Sequence, residues 1–525
     1  MKRTVYFFLL LLSAGAWAQP SKNLALLGSL QFPGQTVAGC WHYNQPGGGE
    51  YALVGTADGI SVVDITNPAA PGLLFQLPGA SSLWHEVKVL GDYAYAVSEG
   101  SDSNGVNNGL QIIDLRYLPD SAPNKFYQGD GLIANQLTTA HTVTADRNFV
   151  YVNGHNIFSF GRGVLILDVS DPWFPVFRGA ITNRYCHDSY VRGDTIFTSD
   201  ILDGLFSIYD ISLPASPVLL ATQVTTGQFN HNAWLSDNGR TLFTTDERNG
   251  VPLASYEVSD FNNITLLDTF YNGYFSANEV HNVRVKEDFL VNPSYGSQLT
   301  LVDAARPANL IEVANYTTGS SLCWDADPYL NSGNIIATDM NSGTLYIFSP
   351  TYVRACYLEG LVTDSVTGFP LNAVAVEIIS AAVSRNTNGL GEYRTGYADS
   401  GTYVVQFSKV GYVTKQIPVN LQNGQLTVLD VALAPIGAGV QGVEAEGISV
   451  FPNPSPGRFR IVSGQRPIEG WTVTDANGKT RIHREAVTLM ALKEIQIDLR
   501  DLPAGVYYLE VKTPDGNFVK PLMKY

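Results

Sequence analysis

The chain has 525 residues, 45% hydrophobic and only 15% charged, with a formal net charge of −16. That length calls for several domains, or one large repeat domain with appendages. The acidic balance excludes the clustered Lys/Arg footprint of a nucleic-acid binder and disfavours adsorption to anionic membranes.

Taken in order, the chain opens on a processing signal. Lys2 and Arg3 precede the apolar run Val5–Leu12, and Ala16-Trp17-Ala18 is a small-x-small cleavage site. The spacing predicts a signal peptide over 1–18. The run is too short to span a bilayer, and no later segment qualifies as a transmembrane helix.

Residues 22–350 carry a repeat. WHEVKV at His85 is followed by AHTV at His141, CHDSYV at His187, NHNAW at His231 and VHNVRV at His281. CWHY at His42 stands before the series. LCWDAD stands after it, with Trp324 in the histidine's place. A second marker keeps the same register, an alternating apolar run ending in Asp64, Asp114, Asp168, Asp210 and Asp303, with Glu257 and Ser349 at the corresponding points. A period of roughly 47 residues predicts a propeller of seven units. Within each unit the period-2 alternation argues strands, and Pro-containing connectors such as ITNPAAPGLL separate the third strand from the fourth. The repeat Asp residues are expected to cap the turn into that connector. The first segment, Leu24–Phe32, reads as a fourth strand lacking its third, and TLYIFS at 344–349 as a third lacking its fourth. Pairing the two would close a ring and satisfy both edges.

These G-hhhh-D-h-x-x-P-x-x-P units look like the LVIVD repeat, and the whole segment resembles the choice-of-anchor B family. The resemblance implies the propeller architecture and no particular reaction.

Residues 351–435 change character. LEGLVTDSVTGFPLNAVAVEI, GEYRT and GTYVVQFSKVGY read as a small β-sandwich. Through Thr367–Leu371 and Ser408–Tyr412 it resembles the carboxypeptidase regulatory-like domain, which implies a non-catalytic spacer. A Gly-rich linker at 436–448 follows. Residues 449–525, with FPNP at Phe451–Pro454, LPAGVYYL at Leu502–Leu509 and the basic tail at Lys520 and Lys524, resemble the C-terminal sorting domain of the type IX secretion system. That resemblance implies the type IX secretion machinery as a partner, and a secreted or outer-membrane-attached product. The expected fold class is thus all-β: a seven-bladed β-propeller followed by two small β-sandwich domains.

Four cysteines, Cys40, Cys186, Cys323 and Cys356, allow three full pairings in an exported chain. Cys40 and Cys323 hold similar places in units one and seven, so a bridge between them is one expectation. Small buried hydrophobes are the other.

Chemistry is expected among the eight histidines. His42, His85, His141, His187, His231 and His281 mark the starts of innermost strands, and His155 lies in the turn between a second and third strand. All seven are expected at one end of the ring. Turns there supply Glu99, Asp102, Asp200, Asp203, Asp246, Glu247 and Asp339. A divalent transition metal (Zn, Mn, Fe or Cu rather than Ca) could be held by His85, His141, His187, His231, His281, Glu86 and Asp188. The competing reading resembles WD40 repeats, in which the recurring histidine bonds an Asp of its own blade as a structural tie. Cys186 and His187, as strand neighbours, are expected to point apart. The loop Ser101–Gly109 lacks EF-hand spacing, and no G-x-S-x-G, Walker, HExxH or CxxC motif occurs. The sequence therefore leans toward an extracellular binding or scaffold module, with glycan, protein or metal as ligand. A metal-dependent hydrolase or oxidoreductase and a structural adhesion component stand as alternatives.

Overall fold

The computed structural model describes residues 21–271, 279–296, 298–318, 322–436, 448–464, 467–485, 493–514 and 516–525. The expected signal peptide and most of the expected linker lie outside these. The chain falls into two compact units, Met1–Val410 with Thr414–Leu433, and Gly411–Val413 with Ala434–Tyr525.

Among the described residues, residues 21–350 form seven antiparallel sheets in sequence order. The first is typical, with strands Val37–Asn44, Glu50–Thr56, Gly59–Asp64 and Gly72–Pro78 running from inside to outside. The chain's early strand Leu24–Gln31 pairs antiparallel with Thr344–Pro350 and completes the seventh sheet. This is the pairing expected from the two incomplete units.

What holds the sheets together is a set of apolar layers, one between each neighbouring pair. Ile60, Val62 and Leu53 of the first sheet meet Val87, Ala94 and Ile113 of the second. Tyr95, Val97 and Ile112 of the second meet Val143, Val150 and Leu165 of the third. The series continues through the third and fourth, fourth and fifth, fifth and sixth, and sixth and seventh sheets. A last layer joins Ile336, Leu345 and Ile347 of the seventh sheet to Val37, Ala52, Val54 and Val63 of the first. Each fully buried Val, Leu or Ile in these layers contributes about 1.5–3 kcal/mol. Both faces of every middle strand are covered, which is why those strands read as near-continuous apolar runs.

The repeat carboxylates do what their position suggested. Asp64, Asp114, Asp168, Asp210 and Asp303 each accept a hydrogen bond from the amide two residues on, at 2.8–3.1 Å. These five third strands therefore end in Asx turns that launch the connector.

Two sheets over Cys356–Leu433 form the next sandwich. Ala355, Tyr357 and Ala398 share one apolar cluster with Leu299, Leu301 and Val313 of the sixth sheet. Arg306 pairs with Glu359 at 3.0 Å, and Asp303 accepts hydrogen bonds from Ala355 N and Arg354 Nη1. The sandwich is thus packed onto the sixth and seventh sheets through a common core. In the second unit, a three-stranded sheet and a four-stranded sheet enclose a separate core containing Phe459, Ile461, Ile497 and Leu509.

All four cysteines are free and buried. The expected Cys40–Cys323 bridge is not formed. Cys323 lies in the layer between the sixth and seventh sheets, and Cys40 in the layer between the seventh and first. Both act as small apolar side chains.

Candidate functional site

The inner strands of neighbouring sheets pack side by side, and their first residues make the site. His141, His187, His231, His281 and Trp324 come from the third to the seventh sheet. Their rings touch in succession, with centroids 4.0, 4.3, 4.1 and 4.3 Å apart. A bulge aims them. His231 is the extra residue between Asn230 and Asn232, and Trp324 the extra residue between Cys323 and Asp325. The amides of His141 and His187 bond to Asn153 and Ser199, which Thr142 and Asp188 already face. One additional residue re-aims a side chain that strict alternation would send elsewhere.

His85 shows the rule by departing from it. Its strand is regular there, with His85 opposite Ser98 and Glu86 opposite Val97. Alternation turns Glu86 toward the inner strands of other sheets and sends His85 between the first and second sheets. There it is packed among Gly79, Ala80, Gly100 and Gln111, with neither ring nitrogen hydrogen-bonded. Burial drives its pKa down to about 4. His85 does not join the other four imidazoles.

His42 departs further. It opposes Ala52, whereas the start of its strand, Val37, opposes Thr56. It therefore lies toward the far end of the inner strand. Its Nδ1 and backbone amide both reach Asp327, at 2.7 and 2.6 Å. Burial disfavours its charge, but Asp327 more than compensates and the pKa is raised. His42 ties the first sheet to the seventh. His155 is buried in its turn, where Nδ1 accepts from Ile157 N. Of the seven histidines expected at one end, His42 alone lies toward the other, and of the rest only four are in ring contact, because sequence neighbourhood alone hides the register.

The same-blade His–Asp tie is not the pattern either. Asp200 accepts from Ser207, Asp246 from Thr225 and the amides of Gly227 and Phe229, and Asp339 from Thr318. The imidazoles bond sideways instead. Nδ1 of His187 donates to the His231 carbonyl at 3.2 Å, and Nδ1 of His281 to the Trp324 carbonyl at 2.6 Å. Nδ1 of His141 meets Glu99 Oε1, from the second sheet's turn, at 2.7 Å. A carbonyl can only accept, so His187 and His281 carry their proton on Nδ1 and present Nε2 as a lone pair. Glu247 stands beside them. Its Oε2 is 3.9 Å from His231 Nε2, its Oε1 is 3.7 Å from His281 Nε2, and Tyr295 donates to it at 2.9 Å. Burial, reinforced by the neighbouring imidazoles, pushes His187 and His281 well below the usual histidine range. Burial takes His231 down to about 4 and raises Glu247. His187, His231 and His281 are therefore neutral imidazoles at pH 7, the form that ligates metals.

Beneath the rings runs a buried polar girdle. Glu86 accepts from Trp324 Nε1 at 3.2 Å, and burial raises its pKa to about 7. Asp188 accepts from Asn232, whose carbonyl takes the Val283 amide. Asp325 accepts from Asn282, from Arg284 at 3.0 Å, and from the Cys40 amide. Glu86 and Asp188 were expected as ligands alongside the histidines; the structure commits both to hydrogen bonds within this girdle. Below it, Trp41, Trp234 and Tyr329 pack together, with Arg284 over Trp234 and Lys88 over Trp41. Cys186, as expected, turns away from His187 and is buried against the Asp188 carbonyl.

Sequence reading named Glu247 only as one acidic turn residue and missed Tyr295 and Arg284. The hint was available for Arg284, since a cation two residues past a histidine–asparagine pair needs a buried anion, and Asp325 supplies it.

Three family models match the chain: the LVIVD repeat at residues 48–77, the carboxypeptidase regulatory-like domain at 357–434, and the secretion system C-terminal sorting domain at 449–524. This is a type IX secretion cargo. Its destination is the cell surface or the extracellular space. No helix among the described residues is long and apolar enough to cross a membrane. No curated protein matches the chain. Among solved structures, a protein from Lactobacillus plantarum is similar at 13% identity and TM-score 0.46, covering 64% of this chain and 94% of its own. The β-propeller domain of Cps50 (Swd1) from Myceliophteria thermophila is similar at 12% identity and TM-score 0.45, covering 63% and 100%.

Proposed function

We propose that the cargo is an extracellular binding or scaffold module that engages its ligand through the histidine-bearing end of the propeller. One observation carries this reading. Four imidazoles from consecutive sheets touch ring to ring, and the turn carboxylates Asp200, Asp246 and Asp339 bond to Ser207, Thr225 and Thr318 instead of to a histidine of their own sheet. Side chains not needed to hold a blade together are free to serve recognition. The packed sandwich supports the same role by holding the propeller firmly against its neighbour rather than on a loose tether.

A metal-dependent hydrolase or oxidoreductase is the second reading. The carboxylate of Glu247 among neutral imidazoles favours it, since such a set can hold a Lewis acid with a position left for substrate.

Binding of the tag-free full chain to a glycan array tests the first reading. A His141→Ala/Glu99→Ala double variant removes the pair at the edge of the cluster. The reading expects retained glycan to fall at least about tenfold while the melting temperature moves by no more than about 2 °C. Equal binding by the variant, or no binding by the natural chain, overturns it.

A further inference from the structure

We propose that His187, His231 and Glu247 form a binding site for one divalent first-row transition metal, with zinc the simplest fit. The inference rests on the proposed use of this end of the propeller and names what sits there.

Their ligand atoms all lie within 4.8 Å of one another. In a tetrahedral site with bonds near 2.0–2.1 Å, ligand atoms sit about 3.3 Å apart. Binding therefore draws the three inward. Glu247 is the member able to move, because its side chain is 24% exposed while that of His231 is 6% exposed. Two imidazoles and one carboxylate are a donor set for Zn²⁺ or Fe²⁺ and a poor one for Ca²⁺, which takes six or more oxygens.

Three independent features prepare the set. The Nδ1–H of His187 is anchored on the His231 carbonyl, which fixes the tautomer and aims Nε2. Tyr295 donates to the Glu247 carboxylate and orients it, as an outer-sphere partner does. His281 Nε2 is buried without a hydrogen bond, 3.7 Å from Glu247 Oε1. Orphaned buried polar atoms are uncommon and call for an explanation. A cation bound by Glu247 would bring a bound water within reach of that lone pair. Three protein ligands leave such a position open.

The experiment uses the tag-free full chain, stripped with a chelator and titrated with Zn²⁺ by calorimetry, with Co²⁺ absorption reporting coordination geometry. One Zn²⁺ per chain and a tetrahedral Co²⁺ spectrum are expected. Glu247→Gln and His231→Gln should each abolish the tetrahedral spectrum, and Tyr295→Phe should weaken Zn²⁺ affinity about 10–100-fold. His85→Gln, away from the cluster, should bind as the natural chain does. Should His231→Gln not fold, Glu247→Gln decides, since its side chain is partly exposed. No stoichiometric Zn²⁺, or undiminished binding in Glu247→Gln, overturns the site. Metal binding without any glycan binding removes only the broader reading, and glycan binding without metal removes only this one.

Discussion

Trp324 of the seventh sheet donates its indole N–H to Glu86 of the second, 3.2 Å away, across the first sheet. Gly39 permits the contact, because a Cβ there would lie 2.3 Å from Glu86 Oε2. A residue of the second sheet thus reaches the seventh only where the first has no side chain.

Gly39→Ala should destabilise the protein by about 1–3 kcal/mol, the usual cost of overpacking. Removing the obstructing carboxylate as well, in Gly39→Ala/Glu86→Ala, should cost less than the sum of the single changes. Urea denaturation of the four proteins of the cycle checks this. Additive effects would mean that Gly39 and Glu86 do not compete for the same space.

The buried ion pair of Arg284 and Asp325 offers a second check. Both side chains are almost wholly buried, at 2% and 0% exposure. Arg284→Met leaves Asp325 with only neutral donors. A loss of about 3–5 kcal/mol is expected, measurable by guanidinium denaturation. Replacing the pair with Arg284→Met/Asp325→Leu should recover part of that loss, because no uncompensated charge remains.

His85 gives the pH dependence. Its folded pKa is lowered by burial to about 4, below its unfolded value of about 6.5. Below 6.5 the unfolded chain takes up a proton that folded His85 refuses. The stability contribution is thus fully present above pH 6.5 and is lost progressively as pH falls toward 4. His85→Gln should flatten the fall in melting temperature across that window, by an amount on the order of 1–3 kcal/mol at pH 4. A slope identical to that of the natural chain would show that His85 is not held neutral.

Asp64 and Asp303 occupy the same turn in different repeats and should differ in weight. Asp64 accepts from Thr66 N, whereas Asp303 accepts from Ala305 N and also from Arg354 Nη1 and Ala355 N of the following sandwich. Asp64→Ala should cost about 1 kcal/mol and Asp303→Ala about 2–3 kcal/mol. Equal costs would mean that the sandwich contacts contribute nothing.

Much of the fold could be read from the chain because repetition makes local signals add. The Asp-closed apolar runs, the proline connectors and the displaced first strand each marked one structural fact, and each is found. The site was legible only in part. Counting histidines identified His141, His187, His231 and His281, but a bulge of one residue decides which face a side chain takes. His85 and His42 therefore read as equivalents of the others and are not. Glu86 and Asp188 looked like ligands because they follow histidines. In the fold, that same adjacency places them one step deeper, where Trp324 and Asn232 claim them. Glu247 meets His231 across the hairpin of its own sheet, but it is distant in sequence from His187 and His281, and only the meeting of adjacent sheets brings it to them.

The central claim is that His187 and His281 are neutral, anchored at Nδ1 and offering Nε2. Long-range nitrogen–proton correlation spectra of protein labelled at histidine nitrogens, recorded after chelation at pH 7, read tautomer and charge ring by ring. Assignment follows from single His→Gln variants. Neutral rings protonated at Nδ1 for both His187 and His281 are expected; rings that are charged, or protonated at Nε2, would contradict the account.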